Sequence, residues 1–295
     1  MSPQFKPVLN ALDNVILSKN NELKLALVCL LCRGHLLIED LPGMGKTTLA
    51  HALADVFAAR YQRVQFTSDL LPLDITGGAI FNVKSQTFDF HPGPIFTQVL
   101  LADEINRASP KTQSALLEAM EERQVTIDRQ THTLDATFFV IATQNPQDQA
   151  GTHALPESQL DRFFMRLSLG FPSPQAEREL ILNQHTGRKR LTAVADVATL
   201  QSWQAEITQI PLNDVVVDYI LALVKRTRLT SGAALSPRAS IALGLAVRAW
   251  AFLAGRNYVL PDDVQFVAPY ICAHRINMTL DEFQLQVIKQ VPVPV

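Results

Sequence analysis

Over the first two-thirds of the chain, short apolar runs alternate with stretches of helical period. His35–Glu39, Arg63–Thr67, Val99–Asp103, Thr137–Thr143 and Arg166–Leu169 read as strands, and helical patterns separate most of them. Strands buried on both faces show unbroken apolar runs instead of alternation, as in Phe138-Phe139-Val140-Ile141. The pattern predicts βαβ units, and with them a parallel sheet covered by helices on both faces. Two segments interrupt it. Gly78–Phe90 predicts a hairpin, with Ala79-Ile80-Phe81 and Thr87-Phe88-Asp89-Phe90 flanking a polar turn. Gln124–Leu134 predicts another, with Val125-Thr126-Ile127 answered by Thr131-His132-Thr133-Leu134.

After Phe171-Pro172-Ser173-Pro174 the period changes. Prolines break the chain there, and nearly everything beyond reads as helix: Gln175–His185, Val197–Ile207, Asp214–Arg228, Pro237–Ala254 and Pro261–Arg275. Ser236 before Pro237 and Pro261 before Asp262 fit N-cap and first-turn preferences. The break predicts two domains, an α/β domain over 1–172 and an all-α domain over 173–295. Trp203 and Trp250 fall in helices of the second and are expected to pack its core. The tail Val291-Pro292-Val293-Pro294-Val295 cannot continue a helix.

Composition narrows the picture. With 47% hydrophobic and 18% charged residues, the 295-residue chain can bury a sizeable core. No apolar run approaches the roughly 20 residues of a membrane span. The longest, Leu25 to Leu31, is soon ended by Cys32-Arg33-Gly34. Met1-Ser2-Pro3-Gln4 lacks the basic-then-apolar layout of a signal peptide, so a cytoplasmic protein is expected. A net charge of −2 argues against a dedicated nucleic-acid binder, because duplex binders carry a basic excess. Cys29 and Cys32 have CxxC spacing, but Leu23 to Cys32 reads as one apolar helix that puts both thiols on a buried face. No second CxxC or His pair completes a metal site, and the seven histidines show no metal-ligand spacing.

The strongest chemical signal is Glu39-Asp40-Leu41-Pro42-Gly43-Met44-Gly45-Lys46-Thr47-Thr48, between a predicted strand and a predicted helix. That context is what a phosphate loop requires. Glycines let backbone N–H groups turn inward around a β-phosphate, and the helix N-terminus adds its positive dipole end. Lys46 is of the type that reaches β- and γ-phosphates, and the Thr47 hydroxyl of the type that ligates Mg²⁺. Asp40 stands where the usual pattern begins with Gly. A second signal is Val99-Leu100-Leu101-Ala102-Asp103-Glu104, an apolar strand delivering two adjacent acids at its carboxyl end, where open α/β sheets bind ligands. Asp103 suits Mg²⁺, held through water, and Glu104 suits polarisation of an attacking water. A third is Ile141-Ala142-Thr143-Gln144-Asn145-Pro146, where Asn145 is placed to orient that water; alone, Asn-Pro reads as a turn.

In this order the motifs resemble those of the AAA+ ATPases, and in wording those of the MoxR family, in the clade of the magnesium chelatase ATPase subunit. Further matching stretches are Leu70-Leu71-Pro72-Leu73-Asp74-Ile75-Thr76-Gly77, Pro92-Gly93-Pro94-Ile95-Phe96, Leu101 to Ala108, Leu155 to Phe163 and Ser236-Pro237-Arg238-Ala239. They span most of the chain. The resemblance implies an AAA+ P-loop core followed by an α-helical lid. It also implies ATP and Mg²⁺ as cofactors and a ring homo-oligomer, a hexamer. Asp in place of the first glycine is frequent in that family.

By position, the implied nucleotide-binding set is Pro42, Gly43, Met44, Gly45, Lys46, Thr47, Thr48 and Asp103, with Thr47 and Asp103 as metal ligands. The implied catalytic set is Lys46, Glu104, Asn145, Arg162 and Arg238. Arg162, in Leu160-Asp161-Arg162-Phe163, matches the arginine finger that acts on a neighbouring subunit's ATP. Its plainer reading is an arginine paired with Asp161. Arg238 matches the lid arginine called sensor 2, and service in its own subunit or in the neighbour stays open. Val15 to Asn21 stands where members open with a Gly-Gln pair near the adenine, so the preference for ATP also stays open. The two hairpins fall where the clade carries loops facing a pore or partner.

The implied activity is remodelling of protein clients or assistance of metal and cofactor insertion, with a von Willebrand factor A domain protein as a further partner. No nucleic acid is expected. The alternatives are a nucleotide-locked assembly scaffold with little turnover, and a nucleic-acid motor.

Overall fold

The computed structural model describes residues 2–146, 151–182, 191–229 and 234–294. Strands β1 (Leu36–Glu39), β2 (Tyr61–Gln65), β3 (Gly77–Asn82), β4 (Thr87–Pro92), β5 (Val99–Asp103), β6 (Gln124–Ile127), β7 (Gln130–Thr133), β8 (Phe139–Gln144) and β9 (Met165–Leu167) follow in chain order. Among the described residues, one sheet has the order β2-β5-β8-β1-β9, with every neighbouring pair parallel. The antiparallel hairpins β3–β4 and β6–β7 stand apart from it, as the sequence predicts.

The helices are α1 (Lys6–Asp13), α2 (Asn20–Leu31), α3 (Lys46–Val56), α4 (Pro72–Thr76), α5 (Pro110–Glu122), α6 (Glu157–Leu160), α7 (Pro174–Leu182), α8 (Val197–Thr208), α9 (Asp214–Thr227), α10 (Pro237–Ala254), α11 (Pro261–Cys272) and α12 (Leu280–Gln286). The end predicted for the first lid helix, 183–185, lies outside the described residues. Beyond α11 the chain tightens into a 3₁₀ turn, Ala273–Ile276, instead of continuing to Arg275 as α-helix. Pro269 inside α11 removes a backbone donor shortly before that point. Ser236 occupies the N-cap position of α10, yet its hydroxyl makes no capping bond.

Alternate residues of the strands enter two cores. Leu36, Ile38, Val99, Leu101, Phe139 and Ile141 pack with α1, α2 and α3. Leu37, Leu100, Ala102, Val140 and Ala142 pack with Leu116, Leu117 and Met120 of α5. The first core runs on without a break into α8, α9, α10 and α11. Trp203 of α8 therefore meets Phe5 (ring centroids 4.5 Å apart) and Phe57 (6.1 Å) instead of the lid alone. Trp250 packs on Phe266 within the lid at 4.5 Å, as expected. All three cysteines are buried free thiols.

Several strand boundaries shift by one or two residues. β9 ends at Leu167 instead of Leu169 because the Leu169 N–H is taken by the Asp40 carboxylate. Two others also shift for local reasons. β8 begins at Phe139 instead of Thr137, because Asp135 accepts bonds from the Thr137 N–H (2.9 Å) and hydroxyl (2.6 Å) in a side-chain turn. β2 starts at Tyr61, two residues early, because it is an edge strand with polar residues at its exposed positions. The two hairpins touch: Phe90 of β4 stacks on His132 of β7 with ring centroids 3.9 Å apart. On β3–β4, Phe81 and Phe88 pair at 5.2 Å and both are exposed, as are Ile80 and Val83.

Candidate active site

The phosphate-loop candidate joins β1 to α3 at the carboxyl edge of the sheet. Gly43 (φ +85) and Gly45 (φ +91) both adopt the left-handed region. A Cβ added at Gly43 would meet nothing within 4 Å, so backbone conformation, not crowding, calls for glycine there. Lys46, at the first position of α3, donates to the carbonyl oxygens of Asp40 (2.6 Å) and Leu41 (3.2 Å), which keeps its ammonium inside the loop. Burial lowers the Lys46 pKa from its ordinary value, and the carboxylates of Asp40, Asp103 and Glu104 offset only part of that fall.

Asp40 is buried, and its carboxylate is turned onto the segment that leaves β9. It accepts from the Ser168 hydroxyl (2.8 Å), from the Gly170 N–H (3.2 Å) and from the Leu169 N–H. The acid at the usual glycine position thus ties the loop to the far edge strand. Asp40→Ala leaves these donors without an acceptor. It is expected to lower unfolding stability by about 3 kcal/mol, measured by urea denaturation at neutral pH. An unchanged midpoint would mean that water satisfies them.

β5 is buried along its whole length and delivers Asp103 and Glu104 to the same edge. One oxygen of Asp103 accepts from the Thr143 hydroxyl (2.6 Å), and the other from Nη2 (2.6 Å) and Nε (3.2 Å) of Arg63. Thr143 in turn accepts from the Glu104 N–H (2.9 Å), so one hydroxyl locks the two acids together. Glu104 has left-handed backbone (φ 57). Its carboxylate accepts from Gln65 Nε2 (2.9 Å) and pairs with Arg107 (3.0 Å).

Arg63, Gln65 and Thr143 were not marked as site residues by the sequence. A signal existed: Arg63 and Gln65 are two apart on the strand paired with β5, and Gln65 is in register with Asp103. Asn145, half-buried, follows the last residue of β8, the strand between β5 and β1. The Thr47 hydroxyl and the Asp103 carboxylate are hard oxygen donors, which fits Mg²⁺, an ion that keeps waters and phosphate oxygens among its ligands. Among the described residues, no group of three or more His, Cys, Asp or Glu forms a separate metal cage.

The two remaining candidates lie together elsewhere. Arg162, just past α6, pairs with Glu121 through Nε at 3.0 Å. Arg238, in the first turn of α10, pairs with the other oxygen of Glu121 at 2.5 Å and approaches Asp161 at 3.7 Å. The simple Arg162–Asp161 pair does not form; Asp161 takes Arg275 instead. Arg162 also lines a polar cleft of about 580 Å³ with Glu118, Glu122, Ser158 and Gln159. Near the phosphate loop, Ile16 Cδ1 lies 4.0 Å from a Cβ position on Gly45. Lys19 donates to the Phe171 carbonyl at 2.7 Å, which ties the segment in place of the Gly-Gln pair to the lid approach.

A sheet of this order, with a phosphate loop after β1, an acid pair after β5 and helices packed beyond β9, defines an ATPase of the AAA+ class. Residues 35–165 match the ATPase family associated with various cellular activities (AAA), and residues 224–291 match the AAA lid domain. The chain is 44% identical to the uncharacterised protein YeaC of Bacillus subtilis over 94% of its length and 88% of that protein's. It is 38% identical to the chaperone MoxR1 of Mycobacterium tuberculosis over 90% of its length and 74% of that protein's. A crystal structure from Cytophaga hutchinsonii, presented as a candidate ATPase, superposes with a TM-score of 0.90 at 32% identity, covering 99% of this chain and 95% of that one. The chain belongs to the MoxR family of AAA+ ATPases.

Proposed function

We propose that this protein hydrolyses ATP with Mg²⁺ in a ring of identical subunits, six to a ring, and uses the cycle to remodel protein clients. The observation that carries the proposal is the division of the candidate residues between two places. Lys46, Asp103 and Glu104 gather at the carboxyl edge of the sheet, whereas Arg162 and Arg238 are bound to Glu121. A subunit then holds nucleotide in one place and offers transition-state cations from another, so a complete site needs two subunits. On this reading Arg238 acts in the neighbour.

The backbone of Pro42 to Thr48 and the Lys46 ammonium hold the phosphates. Thr47 and Asp103 hold Mg²⁺, which supplies neutralisation of developing phosphate charge. Glu104 accepts the proton of the attacking water, and Asn145 orients that water. The core extends to residue 172 and the lid from 173, between the end of β9 and the start of α7. A chaperone role draws support from the name of the Mycobacterium relative and from the exposed Ile80, Phe81, Val83 and Phe88 on β3–β4, an apolar tip suited to a client. Metal or cofactor insertion, aided by a von Willebrand factor A domain protein, is one form such remodelling takes.

The test is steady-state ATP turnover across a series of protein concentrations. Turnover per subunit is expected to rise with concentration as rings form. Zero turnover throughout would instead favour a nucleotide-locked scaffold. Stimulation by DNA with a steep salt dependence would favour a nucleic-acid motor.

A further inference from the structure

We propose that Glu121 is a positioning residue: its one carboxylate holds Arg162 and the lid arginine Arg238 side by side, as a pair presented to the neighbouring subunit's nucleotide. This rests on the reading of Arg162 as acting in the neighbour. Glu121 lies in the last turn of α5. Its Oε2 forms an ion pair with Arg162 at 3.0 Å, and its Oε1 accepts from Arg238 at 2.5 Å. Two guanidiniums on one carboxylate are close enough to repel each other, and the anion between them offsets that repulsion. Asp161 extends the arrangement, taking Arg275 and lying 3.7 Å from Arg238.

The three partners come from different elements. Arg162 follows α6, Arg238 opens α10 in the lid, and Glu121 ends α5, so the shared carboxylate also fixes lid against core at this spot. The bridges are partly exposed, with side-chain accessibilities of 30% for Arg162, 32% for Glu121 and 52% for Arg238. Bridges of that kind contribute little to stability, so the value of Glu121 lies in orientation. A transition-state cation must arrive aligned, and an error of about 1 Å can slow chemistry by as much as about a hundredfold.

The experiment uses Glu121→Gln in the full chain at ring-forming concentration. The amide keeps one acceptor oxygen, which can hold one arginine but not both. We expect kcat to fall about tenfold, well short of the roughly thousandfold loss from removing an arginine finger. KM for ATP and the thermal midpoint are expected to stay unchanged. Glu121→Gln added to Arg162→Ala should slow the enzyme no further, since Glu121 acts through the arginines.

Mixing decides whether the effect crosses the interface. Glu121→Gln subunits keep an intact phosphate loop, and Glu104→Gln subunits keep an intact arginine pair, so mixed rings should regain turnover above either variant alone. If Arg162→Ala regains turnover with Glu104→Gln but Glu121→Gln does not, the neighbour-acting arginine stands and the role of Glu121 is overturned. If neither mixture recovers, the neighbour-acting reading itself falls, and the Glu121 proposal with it. Wild-type kcat in Glu121→Gln, or a slowing matched by a lowered midpoint or a raised KM, also overturns the proposal.

Discussion

Glu104→Gln is expected to bind ATP as tightly as the wild type and to hydrolyse it at least about a hundredfold more slowly, the usual contribution of a positioned general base. The change is nearly isosteric and removes a negative charge without removing bulk. Glu104 accepts from Gln65 and pairs with Arg107, and a glutamine can keep the first contact through its carbonyl oxygen. The lost pair with Arg107 is partly exposed, so the fold should lose no more than about 1 kcal/mol. Lys46 and the glycine loop are untouched, which is why binding should survive. A fluorescent ATP analogue gives the affinity, and single-turnover hydrolysis gives the chemical step. Hydrolysis within a few-fold of wild type would remove Glu104 from the role of base.

Arg162→Ala is expected to lower kcat about a thousandfold, or about 4 kcal/mol of transition-state stabilisation, while ATP affinity stays near wild type. The reasoning is spatial. Arg162 pairs with Glu121 of α5 and not with the phosphate loop. A group that contacts bound nucleotide in the ground state takes binding affinity with it when removed. A group that meets the nucleotide only in the transition state takes rate alone. A matched loss of affinity and rate would show instead that Arg162 already contacts the nucleotide in the ground state. Sedimentation must find the same assembly for both proteins, because a broken ring would mimic the loss.

How much of this was legible beforehand depended on distance along the chain. The phosphate loop could be read because its chemistry is local: Gly43, Gly45 and Lys46 are near neighbours, and the flanking strand and helix have clear periods. The acid pair and Asn145 could be read because strand ends in a parallel sheet gather at one edge. The hairpins and most helices announced themselves by period and by turn residues. What stayed hidden were contacts between distant segments. Nothing in the run Glu118 to Glu122 distinguishes Glu121, whose partners lie 41 and 117 residues away. Asp40 read as a departure from the usual loop because its donors, Ser168 to Gly170, belong to the segment that leaves the far edge strand. The edge strand β2 hid Arg63 and Gln65 among exposed polar residues, where a functional side chain and a solvated one look alike. Trp203 was assigned to the lid core because sequence period gives the buried face of a helix but not what covers it.

The stack of Phe90 on His132 gives the molecule a mechanical property. Two hairpins that would otherwise bend independently are fastened ring to ring at 3.9 Å. β6 begins two residues after the end of α5, with only Arg123 between them. The apolar tip of β3–β4 is therefore connected, through that stack and β6–β7, to the last turn of α5, which carries Glu121. The tip proposed to meet a client and the carboxylate proposed to hold the arginines are thus joined through one short piece of helix.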